Sequence, residues 1–140
     1  MSSIIVSQPQ ADLVRWAAEN MGYPDFRFRP DAKAIGHVRA GALAAVVVFD
    51  NFSDGDCMIS VVSDGRRRWF SREFGRAVVT YPFAQLGQRR LTAMILESNA
   101  ASRAFCAGFG FTQEGRLRKA GPGGEDMLLF GMLREECRWL

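Results

Sequence analysis

The sequence predicts one α/β domain of the α+β kind, with a mixed, mostly antiparallel central sheet that is covered by helices on both faces. The predicted elements follow the order helix, three strands, helix, strand, helix, two strands. A three-strand meander followed by a strand, a helix and another strand favours a mixed sheet with helices packed on it. With 140 residues, of which 48% are hydrophobic, the chain can bury a sizeable core as a single domain over residues 1–140.

The first predicted element is a helix that begins near residue 7. Ser7 and Gln10 have the spacing of a capping box, in which two side chains pair with backbone N–H groups at the start of a helix. Gly22 is suited to end this helix. Four apolar residues recur on one helical face: Leu13, Trp16, Ala17 and Met21.

Three strands follow as a meander. The stretch KAIGHVR alternates in polarity and is followed, after a turn at Ala40 and Gly41, by ALAAVVVFDNF. The unbroken apolar run in this second strand is typical of a strand buried on both faces. The turn SDGD at residues 53–56 then leads into CMISVVS, a third strand that ends at Ser63.

The second helix is predicted over about residues 68–81, directly after three consecutive arginines. Five apolar residues mark its buried face: Phe70, Phe74, Ala77, Val78 and Tyr81. Pro82 ends the helix in this prediction, because the residue before a proline resists the helical conformation. Cations at a helix N-terminus are unfavourable by about 0.3–1 kcal/mol each, so the arginines raise the question of an anion that would bind there.

A strand, a short helix and a hairpin complete the predicted fold. LTAMILE is predicted to be a strand, Asn99 to cap a helix over AASRAFCAGFG, and Gly110 to end that helix. TQEGRLRKA and DMLLFGMLREECRW then form a long terminal hairpin around the turn GPGG at residues 121–124.

Composition and targeting signals indicate a soluble, cytoplasmic protein. The formal net charge is +3, and nearly all the positive charge is arginine, whose guanidinium group suits phosphate and carboxylate oxygens. Three scattered cysteines form no disulfide framework and, with one histidine, no metal-ligand spacing, so a reducing compartment and no metal are expected. The N-terminus lacks the pattern of a signal peptide, and the longest apolar run, residues 41–49, is too short to cross a bilayer.

The arginine run allows three interpretations from the residues alone. Neither GxxxxGK[ST] nor GxGxxG occurs in the sequence, so the common nucleotide-binding loops are absent. A strand, a loop and a helix N-terminus together still form a general anion cradle, which Arg66, Arg67 and Arg68 would complement. The same run is compatible with a solvated surface, or with a nucleic-acid footprint in which Trp69 stacks on bases.

The stretch ESNAASRAFCAGFGFTQEGRLRK resembles the GNAT superfamily of acyl-CoA-dependent N-acyltransferases. The resemblance is carried by Asn99, Ser102 and Phe105, by the Gly-Phe pair at 110–111, and by the Glu-Gly pair at 114–115 with the arginines that follow. The element order fits this superfamily over nearly the whole chain, and YPFAQLGQRRLT and GMLREECRWL are similar to small members encoded by phages and prophages. The resemblance implies a GNAT-like fold, acetyltransferase activity, and acetyl-CoA or coenzyme A as the cofactor.

The resemblance also implies a cofactor site that runs from the third strand to the second helix. In the superfamily this strand splays from its neighbour so that pantetheine amides pair with exposed backbone groups, and the following loop holds the pyrophosphate. The matching positions on the strand are Ile59, Ser60, Val61 and Val62, and those on the loop and helix start are Asp64, Gly65, Arg66, Arg67, Arg68, Trp69, Phe70 and Ser71. On the late helix, Asn99, Ser102 and Phe105 match positions along the cofactor arm.

Two features depart from the superfamily's pattern. Trp69 and Ser71 stand where the loop often has glycines, which implies that arginine side chains hold part of the pyrophosphate. Cys106 stands where many members have a tyrosine that protonates the departing thiolate, and a thiol is a candidate for the same proton transfer.

Acyl transfer requires a neutral amine, so a general base is expected near the centre of the sheet. Glu97 at the end of its strand and Asp56 beside the cofactor strand are candidates, and Asp50 and His37 are further ones. The acceptor, a small-molecule or peptide amine, is not identified by the sequence. The alternative is a GNAT-like scaffold of weak turnover that binds nucleic acid or a protein partner, as in a phage–host interaction. The C-terminal ECRWL packs either within the chain or across a homodimer.

Overall fold

A seven-stranded sheet forms the centre of the molecule in the computed structural model, which describes residues 3–23, 25–65 and 68–140. The strand order across the sheet is β1, β2, β3, β4, β5, β7, β6. Among the described residues β4 pairs with β5 in parallel and the other neighbouring pairs are antiparallel, which confirms the predicted sheet. The strands are β1 Ser3–Val6, β2 Lys33–Arg39, β3 Ala42–Ser53, β4 Asp56–Ser63, β5 Arg90–Leu96, β6 Thr112–Leu117 and β7 Met127–Leu133.

In the described parts of the chain, three α-helices cover the two faces of this sheet, as predicted. α1 packs on one face, where Leu13 and Ala17 join a core that includes Val62 of β4. α2 and α3 contribute to a second and larger core on the other face. The helices are α1 Gln10–Glu19, α2 Arg72–Val79 and α3 Ala100–Phe109.

β3 lies between the two cores, and this explains its unbroken run of apolar residues. Val46 and Val48 belong to the core under α1, whereas Val47 and Phe49 belong to the core under α2 and α3. Successive side chains of a strand point to opposite faces, so a strand between two cores needs apolar residues at every position. The prediction of a strand buried on both faces is therefore confirmed.

The start of the chain differs from the prediction. β1, which the sequence pattern did not predict, pairs with β2 as a short edge strand. Gln10 forms no capping box with Ser7, because its amide group instead exchanges two hydrogen bonds with the backbone of Ala34 on β2. Asn20 rather than Gly22 ends α1. Both differences arise from contacts with β2 or with the preceding turn, which local spacing does not reveal.

The second helix begins at Arg72 because Ser71 caps it. The Ser71 hydroxyl accepts a hydrogen bond from the Phe74 backbone N–H at 3.1 Å, which satisfies one of the free donors at the helix start. The predicted start near residue 68 is therefore wrong. Arg68 lies in the loop before the cap, so the expected conflict between its charge and the first turn of the helix does not arise.

The second helix also continues further than predicted, through Pro82. A π-helical segment, Thr80–Gln85, extends α2 without interruption. The wider turn accommodates a proline, which has no N–H to donate, and Thr80 Oγ1 donates to the Arg76 carbonyl oxygen at 2.6 Å. Pro82 and Phe83 are buried, so the segment gains apolar burial that offsets the lost backbone hydrogen bond.

The second half of the chain follows the prediction closely. Asn99 caps α3 by accepting a hydrogen bond from the Ser102 N–H at 3.1 Å, and Gly110 ends it with a φ of 126°, a value that favours glycine. β6 and β7 form the predicted hairpin. β7 ends at Leu133, however, and a 3₁₀ turn at Arg134–Glu136 replaces the predicted continuation of the strand.

Candidate functional site

β4 and β5 part along their length, as the family resemblance implied. Within the described residues their register ends at Met58 and Thr92. β4 nevertheless runs on to Ser63 and β5 to Leu96. The backbone of residues 59–63 is therefore not paired with β5, and a cleft opens between the two strands.

The cleft lies on the face of the sheet that α2 and α3 cover, and its volume is about 240 Å³. Ile59 and Val61 of β4 and Ala93 and Ile95 of β5 form its floor. No residue of the described chain that lines the cleft carries a charged side chain. The cleft is therefore suited to an uncharged part of a ligand, with backbone groups of β4 among its polar partners.

The cleft brings together residues from three of the predicted segments. Ser60 and Val62 alternate with the lining residues along β4, and Val62 faces the core under α1. These two residues can therefore contribute only backbone groups to the cleft. Asn99 caps α3 and does not line the cleft. The predicted residues that do line it are Ile59, Val61, Trp69, Phe70, Ser102, Phe105 and Cys106.

The loop after β4 begins with a tight backbone turn. The Asp64 N–H donates to the Ala44 carbonyl oxygen at 2.9 Å, which extends the β3–β4 pairing by one residue. Gly65 has a φ of 89°, a conformation that favours glycine, and its N–H donates to Ser63 Oγ at 3.3 Å. The chain therefore leaves the cleft-lining strand in a defined direction.

The arginines of this loop are only partly described. Arg66 and Arg67 lie outside the described residues. Arg68 has an exposed side chain and lies just ahead of the capped start of α2. Ser71, which was predicted to contact the cofactor, uses its hydroxyl to cap α2. Arg68 is therefore the one predicted guanidinium of the run that the described structure places at the mouth of the α2 N-terminus.

Side chains of β2 bind the backbone of this loop. Arg39 Nη1 donates to the carbonyl oxygen of Arg68 at 2.7 Å and to that of Phe70 at 3.2 Å. Between them, the Trp69 carbonyl oxygen lies 2.7 Å from Nδ1 of His37. Three consecutive carbonyl groups of the loop are therefore directed toward β2.

Aromatic rings span the space between α2 and α3. Phe70 meets Phe105 with ring centroids 5.5 Å apart, and Trp69 meets the same ring at 4.8 Å. Gly75 of α2 makes room for this arrangement, because a Cβ atom there would lie 2.8 Å from Phe70 Cζ. Sequence reasoning missed Gly75, although a glycine inside a helical pattern is the usual signal of such a close approach.

Cys106 forms part of the cleft wall. Its side chain is 7% exposed, and burial raises the pKa of the thiol to about 11. The thiol therefore keeps its proton across the neutral range. The same rise makes it a weaker acid than an ordinary thiol, whose pKa is about 8.5.

Glu97 lies just beyond β5, outside the cleft lining, in a network of ion pairs. Its carboxylate accepts from Arg116 at 2.7 Å, and Arg116 also binds Asp126 at 2.8 Å. The hydrogen bond from Arg116 lowers the pKa of Glu97. A carboxylate with a lowered pKa is a weaker base, so this environment does not favour proton abstraction.

Asp56 and Asp50 lie on the face of the sheet opposite α2 and α3. Thr92 Oγ1 donates to the Asp56 carboxylate at 3.0 Å, one step before the strands part. Asp50 pairs in register with Met58, is 8% exposed, and accepts from the Arg29 N–H at 3.1 Å. Burial raises the pKa of Asp50. Asp50 therefore has the environment of a stronger base than Glu97.

Two further properties concern the described residues as a whole. No group of three or more histidine, cysteine, aspartate or glutamate side chains among them is arranged to hold a metal ion. Nor does the described chain contain a helix with the length and apolar character needed to cross a membrane. Cys57, Cys106 and Cys137 are all free thiols.

The seven-stranded sheet, its two helical layers and the parting of β4 from β5 define a GNAT-like fold. A point mutant of the spermidine N-acetyltransferase from Vibrio cholerae superposes with a TM-score of 0.80 at 14% identity, over 98% of this chain and 97% of its own. A ribosomal-protein-S5-alanine acetyltransferase from Vibrio fischeri gives a TM-score of 0.76 at 13% identity, over 99% and 96%. At these identities the similarity concerns the fold alone. Neither a protein-family model nor a curated protein matches the sequence.

Proposed function

We propose that this chain is an N-acetyltransferase that transfers an acetyl group from acetyl-CoA to a primary amine. The observation that carries the proposal is the parting of β4 and β5 beyond Met58 and Thr92, over an uncharged cleft of about 240 Å³. An unpaired strand edge offers N–H and C=O groups to a ligand that itself contains amides. The pantetheine arm of coenzyme A is such a ligand, and it carries no charge.

The phosphates of coenzyme A are proposed to bind at the loop between β4 and α2. Arg68 is exposed there, with Arg66 and Arg67 next to it in the sequence, and guanidinium groups bind phosphate in bidentate geometry. The N-terminus of α2 adds its free N–H groups and dipole. Trp69 and Ser71 replace glycines that would allow close backbone approach, so the side chains are proposed to carry more of the binding.

The proposed reaction joins the amine nitrogen to the acetyl carbon. The nitrogen lone pair attacks the thioester carbonyl, the carbon–sulfur bond breaks, and the sulfur leaves as a thiolate. The nitrogen loses one proton and the thiolate gains one, so charge and atoms balance. Backbone N–H groups along the unpaired stretch of β4 are the proposed donors to the developing oxyanion.

Two carboxylates are proposed to serve the acceptor side of the reaction. Asp50 and Asp56 flank Met58, the last paired residue of β4, on the face of the sheet away from α2 and α3. Burial raises the pKa of Asp50, which suits a base, whereas Arg116 lowers the pKa of Glu97. We therefore propose that the acceptor approaches from this face and that Asp50 or Asp56 takes its proton.

The acceptor class follows from no residue of the cleft. The structures of similar fold include acetyltransferases for spermidine and for an alanine of a ribosomal protein. Polyamines and peptides with a free N-terminus are therefore the proposed first panel of acceptors. Release of free thiol from acetyl-CoA, followed by mass spectrometry of the acetylated product, identifies the acceptor among them.

Ligand-induced stabilisation tests the proposal before any acceptor is known. Acetyl-CoA or coenzyme A at sub-millimolar concentration is expected to raise the melting temperature, since a ligand at 100 times its Kd stabilises by about 2.7 kcal/mol. The proposal is abandoned for the nucleic-acid-binding scaffold if neither ligand shifts the melting temperature while DNA or RNA does. In that case a gel shift would weaken steeply with salt, because phosphate contacts release counterions.

A further inference from the structure

His37 connects three elements of the fold from a fully buried position on β2. Its ring stacks on Phe74 of α2, with centroids 4.7 Å apart and planes inclined by 18°. Nδ1 lies 2.7 Å from the Trp69 carbonyl oxygen and Nε2 lies 2.6 Å from Ser3 Oγ. A carbonyl oxygen only accepts, so Nδ1 carries the hydrogen, and in the neutral ring Nε2 accepts from the Ser3 hydroxyl. Neither ring nitrogen is free for an acceptor amine.

Arg39 continues this contact from the same strand. Its Nη1 donates to the carbonyl oxygens of Arg68 and Phe70, which flank the carbonyl that His37 binds. Leaving a buried carbonyl without a donor is costly, so these three bonds select one backbone path for residues 68–70.

The side chains of the same loop residues point to the opposite side, into the cleft. Trp69 and Phe70 both contact Phe105 of α3 and both line the cleft. Ser71, the next residue, caps α2. A displacement of the loop carbonyls would therefore move the cleft wall and the start of α2 together.

We propose that His37 and Arg39 are positioning residues for cofactor binding. They touch no part of the cleft, since no described residue of β2 lines it. They act by holding the loop so that Trp69 and Phe70 form the cleft wall and Arg68 stands at the α2 N-terminus. The inference rests on the proposed function, because it takes coenzyme A as the ligand of the cleft.

Three variants separate the hydrogen bond from packing. His37→Phe keeps a ring on Phe74 and removes the donor to Trp69, and it is expected to weaken coenzyme A binding by about tenfold. His37→Asn places an amide donor near the position of Nδ1 and is expected to restore most of the affinity. Ser3→Ala removes only the partner of Nε2 and is expected to leave the affinity within about twofold of wild type.

The kinetic signature distinguishes positioning from general damage to the fold. His37→Phe is expected to raise KM for acetyl-CoA more than it lowers kcat, at a melting temperature close to that of wild type. Arg39→Ala, at a partly exposed position, is expected to do the same and serves if His37→Phe does not fold. Wild-type coenzyme A affinity in folded His37→Phe and Arg39→Ala overturns the proposal.

A second readout needs no ligand. Trypsin cleaves after arginine, so release of the loop from β2 is expected to speed cleavage after Arg68 in both variants, detected by mass spectrometry under conditions where wild type stays intact. Wild-type cleavage rates in both variants overturn the positioning role. If wild type binds no coenzyme A, the proposed function fails, while the cleavage rates still decide whether β2 holds the loop.

Discussion

Phe70 and Trp139 meet edge to face, with ring centroids 5.5 Å apart. This contact joins the loop before α2 to the C-terminal end of the chain. Trp139 also stacks on Phe109 at 4.9 Å, and its Nε1 donates to the Phe109 carbonyl oxygen at 2.8 Å. The C-terminal residues therefore belong to the aromatic cluster that forms the cleft wall, and here ECRWL packs within the chain.

Trp139→Ala is expected to lower the free energy of unfolding by about 2 kcal/mol, less than the 3–5 kcal/mol typical of a fully buried tryptophan because the side chain is partly exposed. Trp139→Phe, the matched control, keeps the stack and loses only the Nε1 hydrogen bond, for an expected loss of about 1 kcal/mol. Urea unfolding measures both. Equal stability of Trp139→Ala and wild type would show that the contact does not stabilise the fold.

The sequence was sufficient for most of the sheet. β3 and β4 were predictable because alternation and unbroken apolar runs depend on burial, which repeats along each strand. The cap at Asn99 and the turn at Gly110 were predictable because each depends on one residue and its immediate neighbours. The parting of β4 from β5 and the GNAT-like fold came from the family resemblance, not from periodicity.

The errors occurred where distant contacts override local preference. Gln10 has the spacing of a capping residue, but β2 supplies a better partner for its amide. Pro82 stays inside a helix because its neighbour Phe83 is fully buried in the core. The roles of His37 and Arg39 depend on a loop about 30 residues away in sequence, so no local pattern could reveal them.

Arg67→Ala and Arg68→Ala are each expected to weaken coenzyme A binding by about tenfold or more, because a hydrogen bond to a charged group contributes about 1.5–3 kcal/mol. Isothermal titration measures the loss. Pantetheine, which lacks the phosphates, should bind both variants as it binds wild type. Arg15→Ala is a matched control, since Arg15 pairs with Asp12 on the exposed side of α1. Unchanged affinity in both loop variants would assign the arginines to the solvated surface.

Asp50→Asn is expected to stabilise the protein at neutral pH. Burial raises the pKa of this carboxyl above its ordinary value of 3.8, so the folded state binds its proton more readily than the unfolded state does. The corresponding stability is fully present below the unfolded pKa and is lost as the pH rises through the folded pKa. The amide of the variant carries no charge to bury and can still accept from the Arg29 N–H.

Thermal unfolding as a function of pH checks this sign. Asp50→Asn should melt above wild type near pH 7, and the difference should disappear below about pH 4, where both side chains are neutral. Asp12→Asn, at an exposed position on α1, should show no comparable trend. A difference between Asp50→Asn and wild type that stays constant with pH would rule out titration of Asp50 as its cause.

Glu97→Gln is expected to keep kcat within about threefold of wild type, since loss of a general base typically costs 10²–10⁴-fold and this carboxylate is bound by Arg116 at 2.7 Å. Asp50→Asn and Asp56→Asn, measured with the same acceptor at saturating acetyl-CoA, should reveal the larger loss if either is the base. A hundredfold fall in Glu97→Gln would instead return Glu97 to that role.

Cys106→Ala is expected to lower kcat by less than tenfold. Transfer of a proton from a thiol with a pKa of about 11 to a departing thiolate of ordinary pKa is uphill by about 3 kcal/mol, so water is the better donor. Cys106→Ser keeps a hydroxyl in the wall and should match Cys106→Ala in kcat if only packing is lost. Measured at saturating acetyl-CoA between pH 7 and pH 10, a loss of 100-fold or more would be of the size typical for a general acid. Such a loss in both variants, with coenzyme A affinity unchanged, would mean that the buried thiol supplies the proton despite its raised pKa.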